Sequence, residues 1–102
     1  MRSSSIQSII KDSSLWPLGE KKIEWARRFM SVLERVSREA RERKAFEGVR
    51  VGLVLHFEAK TAVLAEYIQE AGAEVYVASS NPETTQDDVA AALARKVSGV
   101  YA

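Results

Sequence analysis

Cysteine is absent from this 102-residue chain, and histidine occurs only once. Without cysteine there can be no disulfide bond, no thiolate zinc site and no cysteine nucleophile. A transition-metal site needs several nitrogen, sulfur or carboxylate ligands that converge, and one histidine does not favour such a site. We therefore expect no metal.

The motifs that cradle phosphate groups are missing too. Neither the dinucleotide fingerprint G-x-G-x-x-G nor the phosphate loop G-x-x-x-x-G-K-[ST] occurs. No window approaches the roughly 18 apolar residues of a membrane span, and the N-terminus lacks the apolar centre of a secretory signal. The net charge of +1 supplies no long-range field. We expect a cytoplasmic protein that binds neither nucleic acid nor membrane.

The length fits one domain, which we divide after residue 16. Residues 1–16 are serine-rich and are expected to be flexible or to form a helical turn through Ile6, Ile9 and Ile10. Apolar residues then recur at helical spacing over residues 18–44, which predicts one long amphipathic helix. Two of its six arginines, Arg38 and Arg43, stand at i,i+4 from glutamates, which favours a solvated face over a phosphate-binding patch. Trp25 is expected to pack rather than to stack on a base.

Strand and helix patterns alternate along the rest of the chain. Apolar, β-branched runs near residues 49–55, 75–78 and 100–102 predict buried strands. Helices are predicted over residues 58–70 and after two overlapping capping boxes that begin at Thr84 and Thr85. The predicted class is α/β, a small open parallel sheet of about three strands with helices on both faces. This Rossmann-like half domain follows the long N-terminal helix.

Polar residues follow the first two strands, at the edge where open parallel α/β sheets bind ligands. His56 either finishes a strand through a hydrogen bond or contacts a ligand and moves protons near neutral pH, and its position favours the second role. Glu58 and Lys60 are either first-turn residues of a helix or an acceptor and a donor for a ligand. We call the polar segments after the first and second strands the two polar corners of the sheet. At the second corner, Asn81 and Gln86 have no structural role as clear as that of a helix-capping residue.

Several short stretches together form a specific pattern. They are KIEWARRFM at residues 22–30, LH at 55–56, KTAVL at 60–64, GAEV at 72–75, SNP at 80–82, TQDDVAAA at 85–92 and VYA at 100–102. In this order they resemble the N-terminal substrate-domain segment of adenosylhomocysteinase (S-adenosylhomocysteine hydrolase), from about residue 11 onward.

The resemblance implies a large, tetrameric, NAD-dependent enzyme that reversibly cleaves S-adenosylhomocysteine to adenosine and homocysteine. In that family, NAD oxidises the ribose 3′-hydroxyl, which acidifies the C4′ proton so that the thiol can be eliminated. Residues 17–102 are then expected to form a partial substrate-binding domain, with His56 beside the ribose as the catalytic candidate. The expected substrate-binding residues are His56, Glu58, Lys60, Thr61, Ser80, Asn81, Gln86 and Asp87.

Two departures from the family's commonest pattern concern the base. That pattern has threonine in place of Glu58 and glutamate or glutamine in place of Lys60, and the form found here looks like a variant of some thermophilic microbial members. A lysine donor suits a carbonyl at the six-position of the purine better than an amino group. We therefore hypothesise an inosine-type substrate, S-inosylhomocysteine. Ser80 replaces a common cysteine, which is a mild change.

The rest of the family's active site and its NAD domain would lie beyond Ala102, so this chain alone is expected to bind no NAD and to complete no reaction. Three interpretations stay open. The chain is a truncated or separately encoded piece of such a hydrolase, a non-catalytic module that binds a nucleoside or a protein, or a bare α/β domain that self-associates. Unpaired strand edges predict a homo-oligomer or a partner chain that carries the missing domain.

Overall fold

The computed structural model describes residues 8–81 and 85–101. Its helices are α1 (Trp16–Arg27), α2 (Ser31–Glu42), α3 (Ala59–Glu70) and α4 (Asp87–Leu93), and a 3₁₀ turn at Ser13–Leu15 precedes α1. Its strands are β1 (Arg50–Leu55), β2 (Glu74–Ser79) and β3 (Gly99–Tyr101).

The three strands form one parallel sheet in the order β1–β2–β3. In the pairing of β1 with β2, Arg50 lies opposite Glu74 at one end and Leu55 opposite Ser79 at the other. The strands β1 and β2 therefore end side by side. This arrangement confirms the predicted α/β class and the small open parallel sheet.

Among the described residues the helices cover one face of the sheet, which corrects the expectation of helices on both faces. Val75, Val77 and Val100 are fully buried against them, whereas Gly52 and Val54 of β1 are exposed. The connections from β1 to β2 and from β2 to β3 both lead to the next strand in the same direction across the sheet. Because such connections between parallel strands are right-handed, their helices α3 and α4 lie on the same side of the sheet. Helix α1 packs on the outside of α3 and α4.

The predicted long N-terminal helix is two helices of twelve residues each. A straight helix over residues 18–44 would be about 40 Å long at 1.5 Å per residue, which exceeds the 35 Å of the longest molecular axis. The chain instead tightens into i→i+3 hydrogen bonds, from Phe29 N to Ala26 O (3.0 Å) and from Met30 N to Arg27 O (3.2 Å). The turn lets α2 fold back against α3.

Residues 8–10 are not helical, so the helical turn expected at Ile9 and Ile10 does not form. The backbone N–H of Ile9 donates to Val100 O at 2.7 Å, and the Val100 N–H donates to the Ser8 hydroxyl at 3.0 Å. These bonds occupy the outer edge of β3, where an extended segment satisfies backbone groups that a helix would leave unpaired. Ile6, the third residue of the expected turn, lies outside the described residues.

Helix α4 begins after Gln86, not at the threonines expected to cap it. The hydroxyl of Thr85 instead lies 2.7 Å from the Ser79 hydroxyl, which ties the start of the helix to the end of β2. Thr84 lies outside the described residues. Capping by Thr85 was therefore a wrong prediction, because the hydroxyl has a partner on the neighbouring strand.

Candidate functional site

Backbone hydrogen bonds join the loops that follow β1 and β2. The N–H of Ser80 donates to Leu55 O at 3.0 Å, and the N–H of Gln86 donates to Phe57 O at 3.1 Å. His56 and Ser80 each follow directly on a residue of the last pair in the sheet, Leu55 with Ser79. The sequence therefore places both polar corners at one edge, and the structure holds them together through main-chain atoms.

His56 and Phe57 point to different environments. Phe57 is fully buried and belongs to the hydrophobic core, whereas His56 is exposed. Alternating side chains are the normal consequence of an extended chain, so the buried Phe57 fixes the outward direction of His56. The core thus positions the one imidazole of the sequence at the surface of the sheet edge.

Thr61 closes the turn between β1 and α3. Its hydroxyl donates to the His56 carbonyl and accepts a hydrogen bond from the Glu58 N–H at 3.2 Å. Glu58 is the N-cap of α3, and the pair forms a capping box with threonine in the third helical position. Thr61 therefore orients the carbonyl side of His56 and the start of α3, which is a structural role for a residue predicted to lie near the nucleoside.

The second corner is organised by Ser79. Its hydroxyl accepts a hydrogen bond from the Asn81 N–H at 3.2 Å, in addition to its contact with Thr85. This turn leaves the side chains of Ser80 and Asn81 exposed. Polar groups of both corners are thus displayed at the same end of the sheet.

A hollow of about 660 Å³ lies beside these corners, between α1 and the first turns of α3 and α4. This volume falls in the range of roughly 300 to 1,000 Å³ that is typical of small-molecule sites. Its lining residues are Lys21, Lys22, Trp25, Ala26, Phe29, Met30, Glu58, Ala59, Lys60 and Gln86. One wall is apolar and aromatic, and the rim carries charged and amide groups.

The acidic residues at the start of α4 are paired with lysines. Asp88 accepts from Lys22 at 2.7 Å, and Asp87 lies 3.9 Å from Lys11. Carboxylates in the first turn of a helix are also stabilised by the helix dipole. Asp87, a predicted substrate-binding residue, therefore has a structural role, and it is not among the residues that line the hollow.

Apart from Thr61 and Asp87, which have the structural roles described above, the predicted site residues divide into two groups. Glu58, Lys60 and Gln86 line the hollow, and His56, Ser80 and Asn81 stand at the adjoining sheet edge. Sequence reasoning did not assign the α1 side of the hollow to the site. The signal was present in the i,i+4 spacing of the two aromatic residues of KIEWARRFM, but we assigned Trp25 to packing, whereas 64% of its surface is exposed.

Other classes of site find no support in the part of the chain that the structure describes. No group of three or more histidine, cysteine, aspartate or glutamate residues could hold a metal ion within residues 8–81 and 85–101. No described helix is long and apolar enough to cross a membrane. The first strand is followed by His-Phe-Glu and not by the glycine-rich turn of a dinucleotide-binding fold.

Comparison with known proteins identifies the family. Residues 7–102 match the model of S-adenosyl-L-homocysteine hydrolase. Adenosylhomocysteinase of Thermococcus kodakarensis is 55% identical over 93 residues, which are 91% of this chain and 22% of the relative. S-inosyl-L-homocysteine hydrolase of Methanocaldococcus jannaschii is 50% identical over 91% of this chain and 22% of its own length.

A second S-inosyl-L-homocysteine hydrolase, from Methanococcus maripaludis, is 52% identical over 93% of this chain and 23% of its own length. The chain thus spans about a fifth of the length of the curated relatives it matches. The family model covers nearly all of the chain, which confirms the resemblance seen in its sequence. The chain belongs to the S-adenosyl-L-homocysteine hydrolase family.

Proposed function

We propose that this chain forms the nucleoside-contacting part of the substrate site of a hydrolase that cleaves S-adenosylhomocysteine or S-inosylhomocysteine to the nucleoside and homocysteine. One observation supports the proposal most directly. The matched segment contains both polar corners, and the bonds from Ser80 N to Leu55 O and from Gln86 N to Phe57 O hold them beside a hollow of small-molecule size.

Each predicted residue except Asp87 has a role in this proposal. His56, at the sheet edge, contacts the ribose through its exposed imidazole. Glu58 and Lys60 face the base across the hollow, and Thr61 fixes the turn that carries them. The remaining polar contacts to the nucleoside come from Ser80, Asn81 and Gln86, whereas Asp87 lies outside the hollow at the start of α4, beside Lys11.

The family's enzymes use NAD, which supplies the redox chemistry of their reaction. This chain contains no G-x-G-x-x-G motif, so we assign no residue of it to NAD. Its own contribution is to bind and orient the nucleoside. We also infer a cytoplasmic location from the family.

The lysine at position 60 favours a hypoxanthine base over adenine. An ammonium group donates hydrogen bonds and accepts none, so it pairs with the carbonyl at the six-position and not with an amino group. The matched relatives include proteins named for both substrates. We therefore propose S-inosylhomocysteine as the preferred substrate class.

Titration calorimetry of the purified 102-residue chain tests this function. We expect saturable heat with inosine and weaker binding of adenosine, with dissociation constants up to about 1 mM, which corresponds to about 4 kcal/mol. We expect no heat with NAD. His56→Ala removes the ribose-side contact and should weaken nucleoside binding at least about fivefold, since a lost hydrogen bond to a polar ligand costs roughly 1 to 3 kcal/mol.

Val54→Ala is the matched control, because Val54 lies on β1 two residues before His56. Its side chain is 72% exposed, and it belongs to neither polar corner. It should bind nucleosides as the unmodified chain does. The absence of saturable heat with any nucleoside would contradict the proposed function. An equal loss of binding in Val54→Ala and His56→Ala would contradict the role of His56.

A further inference from the structure

Two of the side chains that line the hollow are aromatic and largely exposed. Trp25 and Phe29 are 64% and 69% exposed, and both line the cavity at the C-terminal end of α1. Their ring centroids lie 4.6 Å apart with the planes tilted by 54°. Each ring therefore supports the other while leaving apolar surface open to the cavity.

The backbone beneath this pair is firmly held. Ala26 is almost completely buried in the core, and the following residues are tied by i→i+3 hydrogen bonds that end α1. The aromatic wall is consequently fixed by the packing of α1 on α3 and α4. A preformed wall of this kind costs a ligand little ordering of the protein when it binds.

The opposite side of the hollow is polar. Glu58 supplies a carboxylate, Lys60 an ammonium group and Gln86 an amide, and all three line the same cavity as the aromatic pair. An occupant that satisfies both sides has a flat apolar face and an edge of hydrogen-bonding groups. A purine base has this combination, and aromatic side chains stack on bases of any sequence because each base has a π face.

We propose that Trp25, supported by Phe29, stacks against the purine base in the hollow and is a second determinant of nucleoside affinity. This inference rests on the proposed function, because the nucleoside is the occupant in both. The aromatic wall and the polar wall of the hollow have different roles in recognising the base. The aromatic wall binds adenine and hypoxanthine alike, and the polar wall with Lys60 distinguishes between them.

Tryptophan fluorescence tests the proposal, because the chain has two tryptophans and they lie in different places. Trp16 packs beneath the guanidinium of Arg95, 3.5 Å from its ring centroid, and does not line the hollow. Trp16→Phe leaves Trp25 as the only indole. Inosine should quench its emission saturably, with the dissociation constant that calorimetry gives for the same variant.

Substitutions provide the second readout. Trp25→Ala should weaken inosine and adenosine binding by about the same factor, at least fivefold, since stacking contributes roughly 1 to 3 kcal/mol per base. Trp25→Phe keeps a ring and should recover most of the affinity. Val36→Ala is the control, because Val36 is an exposed apolar residue of α2 that lies outside the hollow, and it should leave binding unchanged.

The outcomes separate this inference from the function on which it rests. Nucleoside binding that is detected by calorimetry, yet neither quenches Trp25 nor weakens in Trp25→Ala, overturns the stacking role and leaves the proposed function standing. An equal loss in Val36→Ala also overturns the stacking role. No nucleoside binding to the unmodified chain overturns both.

Discussion

At the rim of the hollow, Lys60 carries an ammonium group that can only donate hydrogen bonds. Lys60→Gln replaces it with an amide, which can accept from the amino group of adenine as well as donate. We predict that this substitution lowers the ratio of inosine to adenosine affinity by about tenfold, or about 1.4 kcal/mol, as measured by competition between the two nucleosides.

Lys21→Gln is the control for charge, because Lys21 lines the same hollow from α1. It should weaken or leave unchanged the binding of both nucleosides without altering their ratio. If the two variants shift the ratio equally, Lys60 has no specific contact with the base. If neither shifts it, the preference for inosine is not encoded by this residue.

At the scale of single residues, the sequence indicated candidate site residues only at the strand ends. Position favoured a ligand role for His56, because the carboxyl ends of parallel strands share one edge. For Glu58 and Lys60, local sequence left a helix-start role and a ligand role open. It did not identify Trp25 or Phe29. Their i,i+4 spacing is equally typical of a helix face that packs on the core. That they line a cavity is seen only in the structure, where α1 ends beside them.

At the scale of elements, α1 approaches α4 closely through Gly19. A Cβ built on Gly19 would lie 1.8 Å from Asp88 O and 2.8 Å from Val89 N, both of which are backbone atoms. Gly19→Ala must therefore push the two helices apart, and we predict a loss of about 3 kcal/mol or more, at the upper end of overpacking effects. Urea denaturation followed by circular dichroism measures it.

Gly52→Ala is the matched control, since nothing lies within 4 Å of a Cβ at that position on the uncovered face of the sheet. Stability should stay the same or rise by up to about 1 kcal/mol. Comparable destabilisation in the two variants would show that the contact between α1 and α4 is not as close as described.

An ion-pair network joins α1 to α3. Arg27 donates to Glu66 at 2.6 Å and to Glu70 at 2.8 Å, and its guanidinium lies over the Tyr67 ring. Burial raises the pKa of the Glu66 carboxyl, and the nearby Arg27 partly opposes this effect. Arg27→Gln would leave Glu66 buried without its charged partner.

We predict that Arg27→Gln lowers the free energy of unfolding by about 1 to 3 kcal/mol near neutral pH, less than for a fully buried pair because Arg27 is partly exposed. A carboxyl whose folded pKa is raised contributes most stability below its unfolded pKa and loses it as pH rises through the folded pKa. The loss caused by Arg27→Gln should therefore be smaller near pH 4 than near pH 7.

Denaturation at the two pH values provides the measurement, and the rescue variant is Glu66→Gln in the Arg27→Gln background. The neutral amide should recover most of the stability and remove the added pH dependence. An equal loss at both pH values, or no recovery in the double variant, would show that the buried carboxylate of Glu66 is not responsible.

The order of elements was predictable from sequence, but their ends and faces were not. Hydrophobic periodicity continues through Phe29 and Met30, so it gives no sign of the break between α1 and α2. The structure places that break at residues 28–30, between the end of α1 and the start of α2. Likewise, strand β1 is apolar after Arg50, and its sequence does not show that the face with Val54 stays uncovered.

At the scale of the whole molecule, the sheet has an open edge and an open face among the described residues. Strand β1 pairs only with β2, whereas Ile9 partly occupies the outer edge of β3. Val54 and Tyr101 lie exposed on the uncovered face. Open edges and apolar faces of this kind recruit further chains.

We predict that the isolated chain forms a dimer or a larger assembly of its own copies, as measured by multi-angle light scattering. Val54→Asp places a charge on the uncovered face and should shift the chain toward monomer. Val32→Asp, at an exposed position of α2, should not. A monomer mass for the unmodified chain at every concentration would contradict the prediction.

The central claim is that two neighbouring strand ends and the hollow beside them receive one nucleoside. Mapping amide chemical shifts by NMR during an inosine titration tests this claim most directly. The account predicts saturable shifts at residues 56–61, 79–81 and 85–87 and at the Trp25 indole, and none in the groove between residues 8–14 and Arg95. Shifts confined to that groove, or no saturable shifts at all, would contradict it.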